Sequence, residues 1–112
     1  MLTGSLLLFS GTKTASGDTK LTPLKAGHRK DGSAFIKVTA VGGTSDPTLD
    51  VDIISYDEET DDWYVVGSFT QFTATGKQRI YIPATDEKLA IQYAIADSNP
   101  SFTFKVSVIL KK

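Results

Sequence analysis

Apolar and polar residues alternate one by one along most of this chain, and the clearest stretch is residues 48–72, TLDVDIISYDEETDDWYVVGSFTQF. Leu49, Val51 and Ile53 are apolar, with Asp50 and Asp52 between them. A period of two sends alternate side chains to opposite faces of a strand, so one face enters a core and the other meets water. Asp57, Glu58, Glu59, Asp61 and Asp62 then surround Thr60. Carboxylates this dense repel one another and are costly to bury, which predicts a solvated turn. Trp63, Tyr64, Val65 and Val66 follow, aromatic and β-branched residues that suit a pleated surface. The short turn predicts an antiparallel hairpin.

The same pattern recurs on either side. Residues 5–10 read as a strand apolar on both faces, and residues 11–20 as a Gly-, Thr- and Ser-containing loop. Residues 21–24 read as a short edge strand, because Pro23 cannot donate to a ladder. After a polar loop, residues 33–41 place Ala34, Ile36, Val38 and Ala40 inward and Phe35, Lys37 and Thr39 outward. Residues 77–82 turn Ile80 and Ile82 in and Arg79 and Tyr81 out. Leu89, Ile91, Tyr93 and Ile95 form one stripe, and Phe102, Phe104, Val106, Val108 and Leu110 the last. Val51, Ile53, Ile91, Phe104 and Val106 are the expected centre of the core. No window of helical length fits a period of 3.6 better than a period of two. About eight strands joined by short polar turns predict an all-β antiparallel sandwich, jelly-roll-like, with an immunoglobulin-like Greek key as the alternative.

A chain of 112 residues holds one domain. Within it, residues 1–32 read as an amino-terminal arm with the first edge strands, and residues 33–112 as the sandwich body. The net charge is −1, with acids and bases interspersed along the chain, which counts against a nucleic-acid-binding surface. There is no cysteine, so disulfides and thiolate chemistry are excluded. The apolar run Leu6, Leu7, Leu8, Phe9 is too short to span a membrane and lacks the flanks of a signal peptide. The expectation is synthesis in a cytoplasm and no membrane partner.

Four constellations carry potential chemistry, each beside a plainer reading. The acidic turn offers oxygen ligands for calcium but lacks the glycine and regular spacing of an EF-hand loop, so a solvated tip is the expectation. Asp50 and Asp52 have the residue types of a glycosidase pair, on what reads as an exposed strand face. His28 is the single histidine, and no nucleophile motif accompanies it, which favours a solvated loop residue. Trp63, Tyr64, Phe69 and Phe72 would make a sugar-binding aromatic platform, although alternation sends some of them to the core. The expectation is no catalytic residue, no metal and no cofactor. For a partner interface the candidates are Leu6, Leu7, Leu8, Phe9, Leu21 and Leu24. The run at residues 6–9 has two readings: an attachment arm that orders on a partner, or the first strand of the sandwich itself.

Particular segments resemble a known group. TSDPTLDV at residues 44–51, the Trp63–Tyr64 pair, SFTQFTATGKQR at residues 68–79 and NPSFTFKVSV at residues 99–108 are similar to small β-sandwich virion proteins of tailed bacteriophages, the head decoration or cement proteins. The resemblance spans residues 33–112. It departs in the turn before Trp63, where Tyr56, Asp57, Glu58, Glu59 and Thr60 replace the group's Ser-Pro-Asp-Gly turn. The resemblance implies a non-enzymatic structural protein that sits on a capsid surface in many copies. Its implied partners are the major capsid protein and further copies of itself, as a homo-oligomer on the particle, and it would stabilise the head. The alternative class is a carbohydrate- or host-binding module of a tail or fibre.

Overall fold

A computed structural model of the chain describes residues 4–27, 29, 31–43, 45–97 and 99–110; His28 lies outside the described residues. Among the described residues nine strands follow in order: β1 (Leu6–Lys13), β2 (Gly17–Asp18), β3 (Leu24–Lys25), β4 (Gly32–Gly42), β5 (Thr48–Asp57), β6 (Asp62–Ser68), β7 (Gly76–Ile82), β8 (Lys88–Ala96) and β9 (Ser101–Leu110). They form two antiparallel sheets, one ordered β1-β9-β4-β7, the other β2-β8-β5-β6 with β3 also paired to β8.

β2 and β3 pair with opposite ends of β8, so together they fill one edge position. Counted that way the sandwich has eight strand positions. Every connection except β2–β3 and the β5–β6 hairpin passes from one sheet to the other. This order selects the jelly roll over the immunoglobulin-like alternative.

The inward stripes read from the sequence meet between the sheets. Phe102, Phe104, Val106, Val108 and Leu110 of β9 are buried, as are Ala34, Ile36 and Val38 of β4. They face Leu49, Val51 and Ile53 of β5 and Leu89, Ile91 and Tyr93 of β8, all buried in one cluster. Fully burying a side chain of this size is worth about 1.5–3 kcal/mol relative to leaving it exposed, so these stripes dominate the stability. Where β6 meets β7 the sheets close tightly: a Cβ added at Gly67 would stand 2.9 Å from Ile80 Cδ1.

Bulges correct the simple alternation. One extra residue in β4, between Val38 and Ala40, rotates the strand, so Ala40 is exposed rather than inward. A second irregularity in β1, between Leu7 and Phe9, lets Leu8 and Phe9 both pack on the core.

The amino-terminal segment is tied to both sheets. β1 pairs along the length of β9. The Thr19 hydroxyl accepts the Ile91 amide at 3.0 Å, and the Thr19 amide donates to the Ile91 carbonyl at 3.0 Å. The Gly27 amide donates to the Glu87 carbonyl at 3.0 Å, and Arg29 forms a two-residue bridge with Thr85. Residues 11–20, read as loop, contribute the end of β1 and all of β2.

Candidate functional site: a cationic face on the four-stranded sheet

Strand register assembles this face from residues scattered through the chain. Lys37 on β4 lies directly opposite Lys77 on β7 and Lys105 on β9, and Lys105 lies opposite Ser10 on β1. One row across the sheet is therefore Ser10, Lys105, Lys37, Lys77. The next row is Leu7, Ser107, Phe35, Arg79. All these residues alternate with the buried stripe and so point away from the core. Tyr81, Ser33 and Ile109 continue the face on one side. On the other, Thr12 and Thr103 join their hydroxyls at 2.7 Å.

No acid occurs among the ladder-paired residues of this face. Directly opposed like charges in a sheet are destabilising, by an amount on the order of 0.2–1 kcal/mol per pair. The middle lysine faces two such neighbours. The Arg79 guanidinium lies 5.9 Å from the Phe35 ring centroid, a cation–π contact. A groove of about 430 Å³ runs between these side chains, lined by Phe35, Lys37, Lys77, Gln78, Arg79 and Lys105 among others. Its surface is mainly apolar, as expected where long cationic side chains lie beside an aromatic ring. Leu7 and Tyr81 flank it, 57% and 65% exposed.

The opposite outer face is acidic at its centre. Asp18 of β2, Gln92 of β8, Asp52 of β5 and Ser68 of β6 form one row. Asp18, Gln92 and Asp52 of this row, with Asp50, border a concavity of about 380 Å³. Asp50 accepts from Gln71 Nε2 at 2.9 Å and Asp52 from Gln92 Nε2 at 3.0 Å. The two carboxylates do share a face, as the alternation indicates, and each is held by a glutamine amide.

The other sequence candidates separate in space. Of the six interface residues, Leu6, Leu8, Phe9 and Leu24 pack against the core, Leu7 stands on the cationic face, and Leu21 is 97% exposed in the turn between β2 and β3. They do not form a single patch. Phe69 and Phe72 are buried, so they cannot share a platform with the exposed Tyr64. Trp63 instead packs on Tyr56 with ring centroids 5.4 Å apart. In the acidic turn Asp57 accepts the Thr60 amide at 3.0 Å and its hydroxyl at 2.8 Å, and Asp62 accepts the Trp63 amide at 2.8 Å. Asp61 accepts the Tyr56 hydroxyl. That hydrogen bond, with the surrounding carboxylates, raises the Tyr56 pKa above its ordinary value. Among the described residues no group of three or more His, Cys, Asp or Glu side chains is arranged to hold a metal ion.

Sequence reading missed the cationic face because its charges lie on three strands distant in the chain, and the net charge of −1 gives no sign of them. The available signal was that Lys37, Lys77, Arg79 and Lys105 all occupy outward positions of strands.

No family model and no curated protein matches this chain. Among solved structures, the chain is similar to a Clostridium thermocellum chain carrying the CBM22-1 and GH10 modules of the N-terminal endo-1,4-β-D-xylanase 10B, in complex with xylohexaose. The TM-score is 0.52 at 13% identity, over 96% of this chain and 28% of that one. The chain thus spans little more than a quarter of that chain's length, and the likeness is one of β-sandwich fold.

Proposed function

We propose that this protein is a non-enzymatic structural component of a tailed-bacteriophage particle, a capsid decoration protein that binds the major capsid lattice from outside and stabilises the head. The observation that carries this reading is the outer face of the four-stranded sheet. It is a broad, regular surface that mixes exposed Leu7 and Tyr81 with four cations, and no core function accounts for it. Leu7 on β1 and Tyr81 on β7 stand at opposite edges of this face with the cations between them, a mixed surface that suits contact with a protein. The resemblance of residues 33–112 to decoration proteins supplies the particle as the setting. The test is mass spectrometry of purified particles, followed by add-back to heads lacking the protein. Many copies per head and a gain in head stability on add-back support the reading. Absence from purified particles overturns it.

The fold likeness favours a second reading, a host- or carbohydrate-binding module. Calorimetric titration with xylohexaose and with host-surface glycans addresses it. Saturable binding displaced by substitution of an exposed ring such as Tyr81 would support this alternative.

A further inference from the structure

We propose that the groove at Lys37, Lys77 and Lys105 binds the carboxylates of an acidic protein segment, with Phe35, Leu7 and Tyr81 contacting apolar residues beside them. The inference rests on reading this face as the docking surface, and it adds the chemistry of the partner. Three neighbouring lysines in one row, unrelieved by any acid of the same ladders, form a surface that an approaching anionic group would stabilise. A groove of about 430 Å³ accommodates a few side chains rather than a continuous duplex backbone. The exposed Leu7 and Tyr81 beside it offer apolar contact, which a protein surface returns and a phosphate backbone does not. Because Asp18, Asp50 and Asp52 occupy the opposite sheet, an acidic partner attracts one face and repels the other. The net charge of −1 conceals this polarity, which fixes the orientation of docking.

The experiment titrates the full chain with a glutamate-rich peptide bearing interspersed leucines, with its glutamine counterpart, with heparin and with duplex DNA. Amide and side-chain shifts are followed by NMR. The expected result is binding of the glutamate peptide alone, mapped to Phe35, Lys37, Lys77 and Lys105 and weakening as salt is raised. Lys37→Gln with Lys105→Gln should reduce affinity at least tenfold, while Asp50→Asn with Asp52→Asn should not reduce it. Shifts located elsewhere, equal binding of the glutamine peptide, or binding of heparin or DNA in preference to the glutamate peptide would overturn the proposal. Melting curves of each variant separate lost binding from lost folding. Attachment to particles that survives the double lysine change removes this inference and leaves the decoration reading intact. Peptide binding at this groove by a protein absent from particles does the reverse.

Discussion

Truncating Phe104 and Phe9, singly and together, tests how the amino-terminal strand is held. Phe104 is 1% exposed, and its ring centroid lies 4.7 Å from Phe9 and 5.9 Å from Tyr93. Removing a buried phenylalanine ring costs about 3–5 kcal/mol. Its two aromatic contacts, each worth about 0.5–1.5 kcal/mol, place Phe104→Ala in the upper part of that range, at about 4–5 kcal/mol. Phe9 is only partly buried, on an edge strand, so Phe9→Ala should cost about 2–3 kcal/mol. The double variant should lose less than the sum, by about 0.5–1.5 kcal/mol, because the two rings lose the same contact. Urea titrations at unchanged m-value supply the numbers; in melting, each kcal/mol corresponds to about 4 °C for a domain of this size. Strict additivity would mean that the Phe9 and Phe104 rings do not pack on one another. Deleting residues 1–20 strips β1 and β2 from both sheets and uncovers the β9 edge, so unfolding or aggregation is expected. A soluble, cooperatively melting remainder would refute the packing argument and restore the attachment-arm reading.

Other consequences are equally direct. Lys37→Gln removes the central charge of a like-charged row, so it should raise the melting temperature at low salt by a few degrees, with the gain fading as salt is added; no gain at low salt would mean the row is already neutralised. Gly32→Ala drives a Cβ into the Ile109 carbonyl oxygen, so it should destabilise by about 1–3 kcal/mol in denaturant titration, and a neutral result would show that β4 and β9 are further apart there. Tyr56 has a folded-state pKa above its ordinary value of about 10, so the stability from its hydrogen bond to Asp61 is complete below that pH and declines as the unfolded phenol ionises first. The stability difference between wild type and Tyr56→Phe should therefore shrink as pH rises past the ordinary phenol value of about 10, and a constant difference would remove the hydrogen bond from the account.

The strands were legible in the sequence because alternation is a local property. A stripe such as Phe102, Phe104, Val106, Val108 and Leu110 has one low-energy placement, and all five are buried. Val51, Ile53 and Ile91 follow for the same reason. The solvated character of the acidic turn was also legible, since charge density alone keeps it outside. The sequence left the jelly roll and the Greek key open because a period of two is silent about which strand pairs with which. It could not place Ala40 outside, since a bulge is an extra residue whose position depends on the partner strand. Nor could it join Lys37 to Lys77 and Lys105, or divide the leucines of the first strand into Leu7 on the surface and Leu6 and Leu8 against the core. Those juxtapositions are set by register between strands distant in the chain. The tertiary structure alone decides that register, through the burial of inner faces it optimises, and the outer faces with their charges are carried along.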